Sequence, residues 1–136
     1  MRKVLLIGLL FILPTLIFAQ NKTTPTIDER LYEVFEKKFL ERLQQKTPAT
    51  LEYYNFFLDN AYKIQPLSND KTSDYPDVII EDLDDFNILK LINNQELKRD
   101  YNYQKIYKIA DCNQLLILIS EKELVKQFNQ YTGRTH

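Results

Sequence analysis

The chain predicts an α+β fold: an N-terminal helical hairpin, a small antiparallel β-meander of three to four strands, and a C-terminal helix. Three observations carry this expectation. After residue 26, apolar residues recur at helical spacing behind two helix-start signals; from about residue 62 these give way to short apolar runs separated by turn residues; and Ser120-Glu121-Lys122-Glu123 restarts a helical pattern near the end.

Thr26-Ile27-Asp28-Glu29 has the form of a capping box, with Thr26 as N-cap and Glu29 three residues on. Ile27, Leu31, Val34, Phe35, Phe39 and Leu43 follow at helical spacing, and Glu33 precedes Lys37 by four, the favourable order for a helical ion pair. One helix is expected over residues 27–46. Thr47-Pro48 restarts the count, threonine as N-cap and proline at the first helical position. Leu51, Tyr54, Leu58, Ala61 and Tyr62 make the stripe of this second helix, and so short a joint predicts a hairpin.

Residues 62–67 read as a short extended piece that Pro66 places at a sheet edge. Residues 68–77 are polar and turn-like, and Val78-Ile79-Ile80 is a brief apolar run among Asp77, Glu81, Asp82, Asp84 and Asp85. Residues 86–92 read as a strand and Asn93-Asn94 as the turn after it, since asparagine tolerates left-handed backbone. Residues 103–110 alternate, with Ile106 on the face away from Tyr107 and Ile109, and Asp111-Cys112-Asn113 turns the chain. Residues 115–119 are apolar on both faces and should form the most buried strand. Strands joined by short turns are antiparallel. Ser120 and Glu123 form a second capping box; Leu124, Phe128 and Tyr131 follow at i, i+4 and i+7, and Gly133 suits the residue after a helix end.

Ahead of this domain lies the pattern of a secretory signal. Met1-Arg2-Lys3 is basic, residues 4–18 are apolar except Thr15, and the chain turns polar at Ala19-Gln20-Asn21. A bilayer span needs about 20 apolar residues; this run is shorter and contains Pro14. Cleavage is expected after Ala19. Residues 1–19 are therefore read as signal peptide, 20–26 as a flexible lead-in and 27–134 as a single domain. No cysteine follows the cut that could carry a lipid, and no second apolar run is long enough to span a membrane. The expected location is periplasmic or secreted, with no stable membrane anchor.

Composition then narrows the chemistry. Losing Arg2 and Lys3 leaves 16 cations against 19 acids. That mild acidic balance has neither the footprint of a nucleic-acid binder nor a broad basic patch for anionic lipid. One cysteine, Cys112, permits no internal disulfide and is expected to be a buried small hydrophobe. Beyond the signal, Gly133 is the sole glycine and His136 the sole histidine. Phosphate-cradling loops, nucleophile elbows, histidine general bases and histidine metal clusters all lack their residues. The acidic stretch from Asp74 to Asp85 has neither the alternating acids nor the glycine of an EF-hand, and reads as a solvated loop. Ser120 with Lys122 is better explained by helix capping than by a Ser-Lys dyad. Lys98-Arg99 with Tyr101-Asn102-Tyr103 reads as a solvated strand edge. No catalytic residue, cofactor or metal ion is expected.

One feature of the second helix exceeds what a lone domain needs. At about 100° per residue, Phe56 points nearly opposite the Leu51/Leu58 stripe, with Tyr53 beside it. Either the helix is buried on both sides, by the sheet and other helices, or Tyr53 and Phe56 offer an aromatic patch to a partner, where aromatics are enriched.

The ending Phe18-Ala19-Gln20, the Lys/Asn/Tyr/Ile-rich composition, and the stretch from Ile106-Tyr107-Lys108-Ile109 through Asn113 to Glu123 resemble small uncharacterised exported proteins of Bacteroidota. The resemblance implies export and no particular activity. The expected function is a non-enzymatic interaction or accessory protein of the bacterial cell envelope, with an envelope protein as partner. The other reading is a small-ligand-binding periplasmic domain with a tyrosine-lined pocket. Export makes a first prediction: protein recovered from its own cell envelope begins at Gln20 by N-terminal sequencing, and a sequence beginning at Met1 would overturn the cleavage assignment.

Overall fold

The structure, a computed structural model, describes residues 23–68 and 74–134; the signal region lies outside them. These residues form an α+β fold. A 3₁₀ turn (Glu29–Glu33) precedes α1 (Lys37–Lys46) and α2 (Pro48–Asn60); β1 (Tyr62–Pro66), β2 (Asp77–Val78), α3 (Ile88–Gln95), β3 (Lys105–Ile109), β4 (Gln114–Leu118) and α4 (Glu121–Tyr131) follow. No helix among the described residues is long and apolar enough to cross a membrane.

The strands lie in the order β1-β4-β3-β2. β4 is thus interior, the place its apolar sequence demands. Leu116 and Leu118 stand opposite Ile64 and Tyr62 of β1, and opposite Tyr107 and Lys105 of β3. This face meets the helices in a core where Leu31, Leu40, Leu51, Leu58, Ile88, Leu116 and Leu124 are fully buried. The other face carries Lys63, Ile106, Lys108, Leu115 and Ile117. β1 is an edge strand ending in Pro66, as the proline requires.

The expected helix over residues 27–46 is two pieces. Asp28, not Thr26, caps the first turn, its side chain accepting from Arg30 N. The break falls beside the Arg30 carbonyl, to which Asn87 Nδ2 donates at 2.7 Å. Val34 N turns to Leu31 O instead, a 3₁₀ contact, and α1 starts afresh after Glu36. Glu33 accordingly pairs with Lys90 of α3 at 3.1 Å, and Lys37 with Glu41 at 3.7 Å. Proline opens α2 as expected, although the Thr47 side chain makes no capping bond.

The strand expected over residues 86–92 is instead the start of α3, and Asn93-Asn94 lies within that helix. Short apolar runs do not declare their period; capping decides here. Asn87 Oδ1 accepts from Leu89 N at 3.1 Å and Lys90 N at 3.3 Å. Ile88 and Leu91 then turn inward together at helical spacing. The helix ends on Glu96, in left-handed backbone at φ 49, where Leu97 N donates back to Ile92 O.

That exchange of strand for helix changes the sheet. β2 and β3 are linked by a crossover through α3 rather than by a hairpin, and they pair parallel. The sheet is therefore mixed, not an antiparallel meander. The turn at residues 111–113 and the closing helix stand as read: Asp111 takes positive φ, Ser120 Oγ accepts from Glu123 N, and Gly133 sits at φ 71 just past α4. Cys112 is half-buried against the core.

Asn87 thus starts α3 and pairs the carbonyl beside the break in the first helix. Asn87→Ala is expected to lose about 1–3 kcal/mol in urea unfolding, the cap plus the lost bond to a part-buried carbonyl. Asn87→Asp keeps the cap acceptor but not the donor, and should fall between. Equal stability of all three proteins would refute this role.

Candidate functional site

The surplus aromatics of α2 meet the C-terminal helix. Ring centroids lie 5.2 Å apart for Tyr53–Phe128, 5.4 Å for Phe56–Phe128 and 5.2 Å for Phe56–Tyr131. Tyr53 and Phe56 are each half-buried, while Phe128 is buried. So α2 is covered on both sides: by the core through Leu51 and Leu58, and by α4 through Tyr53 and Phe56. Aromatic pairs of this kind add about 0.5–1.5 kcal/mol each beyond area burial.

Arg99 closes one end of the seam. Its guanidinium carbon sits 4.6 Å from the Phe57 ring centroid, Nη2 donates to Ile119 O at 3.3 Å, and Nη1 is 3.8 Å from Glu121. With a side chain only 15% exposed, Arg99 is part of the interior edge and not a solvated strand edge. Burial pushes the Tyr53 phenol up, against the pull of nearby Arg99.

The other end of the seam is open. Tyr131 closes the apolar stripe of α4 in sequence, yet it is 69% exposed. Its ring and that of Phe56 form one wall of a cleft of about 680 Å³, whose other walls include Pro25, Glu52, Asn55 and Asp59. Residues 23–26 of the lead-in run along this cleft. Asn55 Nδ2 donates to Thr26 O at 2.7 Å and Gln44 Nε2 to Pro25 O at 3.0 Å.

The cleft's charge is organised by Arg30. Its Nε and Nη2 donate to the two Asp28 carboxylate oxygens at 3.0 and 2.7 Å, and Nη1 donates to Asp59 at 2.9 Å. The hydrogen bonds from Arg30 hold the Asp28 carboxyl below its usual range, and those to Asp28 and Asp59 hold the Arg30 guanidinium more firmly protonated. Asp59 remains largely exposed and faces the cleft with Glu52.

Another cleft, of about 600 Å³, lies between the 3₁₀ turn, the acidic stretch and α3. Its cations Arg30 and Lys90 already serve Asp28, Asp59 and Glu33. Gln95 holds the acidic stretch at its middle, donating to Ile79 O at 2.7 Å and accepting from Ile79 N at 3.0 Å. Among the described residues, no group of three His, Cys, Asp or Glu side chains is placed to hold a metal ion.

Sequence reasoning singled out Tyr53 and Phe56, and the structure brings both together on Phe128. It missed Tyr131 as a surface residue, because the i+7 position of an apolar stripe reads as core, and it missed the burial of Arg99. The chain matches no protein-family profile, no curated protein and no solved structure.

The Asp28–Arg30 contact makes stability pH-dependent. Asp28 is depressed in the folded state, so its contribution is complete above the unfolded carboxylate value, about 3.9, and is lost as pH falls through the lower folded value. Asp28→Asn retains an acceptor for Arg30 N but removes the charge. The stability gap between wild type and Asp28→Asn should hold steady from about pH 5 upward and shrink below about pH 4. A gap that is unchanged at acid pH in urea titrations would contradict the assignment.

Proposed function

We propose that this chain is an exported, non-enzymatic interaction protein of the bacterial cell envelope, and that it meets a protein partner at the open end of the α2–α4 aromatic seam. The observation that carries the reading is the exposed Tyr131 ring packed at a tilt against half-buried Phe56 at the lip of a cleft. The Tyr131 ring meets the free domain at Phe56 and leaves most of its surface to solvent. It is, however, the kind of rigid amphipathic anchor that dominates protein interfaces.

The same cleft sets the chemistry of the partner. Glu52 and Asp59 stand beside the rings, so a segment that inserts an apolar side chain next to a lysine or arginine fits it. The signal-like pattern of residues 1–19 supports a partner outside the cytoplasm. Tyr53 lies deeper, against Phe57 and Phe128, and supports the wall rather than forming its surface.

The test is capture of envelope proteins in mild detergent by the tagged mature chain, read by mass spectrometry, with two variants alongside. Phe56→Asp removes the inner ring. Tyr131→Asp removes only the exposed one and leaves Phe56–Phe128 intact, so it is expected to fold. A stoichiometric partner lost with both variants, while circular dichroism is unchanged for Tyr131→Asp, is the expected result. A partner retained by Tyr131→Asp, or no partner above background, would overturn the reading.

A further inference from the structure

A second surface of α4 has a different character. Lys122, Val125, Lys126 and Asn129 recur at i, i+3, i+4 and i+7 and so share one face, turned away from Leu124 and Phe128. With Tyr101 from the loop before β3, and Arg134 beyond the helix end, they line a groove of about 430 Å³. Tyr101 is 60% exposed and Val125 44%, so the apolar part of the groove is open to contact.

The loop that presents Tyr101 is fastened. Asp100 Oδ1 accepts from Asn102 N at 2.8 Å and from Tyr103 N at 2.9 Å, and these bonds lower its pKa. Glu121 N donates to Asp100 O at 3.0 Å and Lys122 N to Tyr101 O at 2.9 Å. Loop and helix thus form one wall whose backbone is set before any partner arrives, which reduces the ordering cost of binding.

The charges in this groove all have one sign. Its ionisable cations are Lys122, Lys126 and Arg134, and no acid shares the lining. Lys126 has one acid near it, Glu123, at the long distance of 3.9 Å. Among the described residues, neither Lys122 nor Arg134 forms an ion pair. In a chain whose net charge is negative, an all-cationic groove around an apolar floor is a local feature and not a reflection of overall composition.

We propose that this groove docks an acidic peptide segment of a partner protein, which sets one large apolar side chain against Tyr101 and Val125 and its carboxylates against Lys122, Lys126 and Arg134. Number and shape favour a peptide over a membrane. Recruitment to anionic lipid uses clusters of about 4–8 Lys and Arg, whereas three surround this concavity. The Asn129 and Gln130 amides supply donors and acceptors that a peptide backbone needs. The proposal rests on the interaction-protein reading but concerns a different surface from the Phe56–Tyr131 cleft.

The experiment titrates the chain over residues 20–136 into two fluorescein-labelled peptides, Asp-Glu-Asp-Phe-Glu-Asp-Glu and the same sequence with every acid replaced by lysine, and reads anisotropy. Phosphatidylserine vesicles form a third arm, read by co-sedimentation. The acidic peptide is expected to bind, more weakly as salt rises, and the lysine peptide is not. The double variant Lys122→Glu with Lys126→Glu, both at exposed positions, should weaken binding about tenfold or more. Tyr101→Ala should weaken it at every salt concentration. Tyr131→Asp should leave it unchanged, so that failure here and failure of the envelope capture are separate results. No acidic-peptide binding, equal binding by the double variant, or binding to vesicles alone would overturn the proposal.

Discussion

The hydrogen-bonded seat of β4 between β1 and β3 is the constraint on which the rest of the molecule depends. A strand that is apolar on both faces has no stable place at an edge, where one side would leave its ladder groups unpaired. Seating it centrally forces β1, some fifty residues earlier in the chain, to return alongside it in antiparallel register from Tyr62↔Leu118 to Pro66↔Gln114. The ladder continues one step further, with Ile119 N donating to Ala61 O at 2.8 Å. α2 enters the sheet at that point and α4 leaves it there. Pairing the strands therefore brings the two helices side by side, and Phe128 comes to lie over Tyr53 and Phe56. The aromatic seam is a consequence of sheet register.

Features governed by local physics were legible in the sequence. Ser120 caps α4, Pro48 opens α2, Pro66 marks an edge strand and residues 115–119 announce an interior one; each rests on contacts or preferences within a few residues. What was not legible centres on Asn87. Its Oδ1 caps α3 within a run whose apolar residues show no clear period, and its Nδ2 reaches 57 positions back to the Arg30 carbonyl, where the first helix breaks. No periodicity reports such a bond. The parallel pairing of β2 with β3 follows from α3, because a helix between two strands permits a crossover where a strand would have required a hairpin.

The candidate site divides in the same way. The double-sided apolar character of α2 could be read from angles alone, which put Tyr53 and Phe56 opposite the Leu51/Leu58 stripe. That α4 covers them could not be read, because it follows from the β1–β4 register. Tyr131 misled by position, since a stripe at i, i+4 and i+7 says which side of a helix faces inward but not how far the neighbour covers it. The last ring of α4 meets Phe56 on one side and is otherwise left in the open. Lys122 and Lys126 carried no signal at all, as lysines on the outer face of a helix are the ordinary case.

Both surfaces proposed for partners are flanks of one helix, and Arg99 links that helix to the sheet and to α2. A guanidinium this deeply placed is costly unless its charge and donors are met. Phe57 meets the charge from one side, the Ile119 carbonyl accepts a hydrogen bond from Nη2, and Glu121 of α4 lies 3.8 Å from Nη1, while Nε has no hydrogen-bond partner among the described residues. The balance is therefore tight, and it depends on α4 keeping its present position over α2 and the end of β4. Any shift of α4 large enough to reshape the Phe56–Tyr131 cleft would also draw Glu121 from Arg99 and disturb the bonds from Glu121 and Lys122 to the Tyr101 loop. A partner on either flank gains from a helix already held in place. The cost of holding it falls on the Arg99 junction, which is met in the free domain before anything binds.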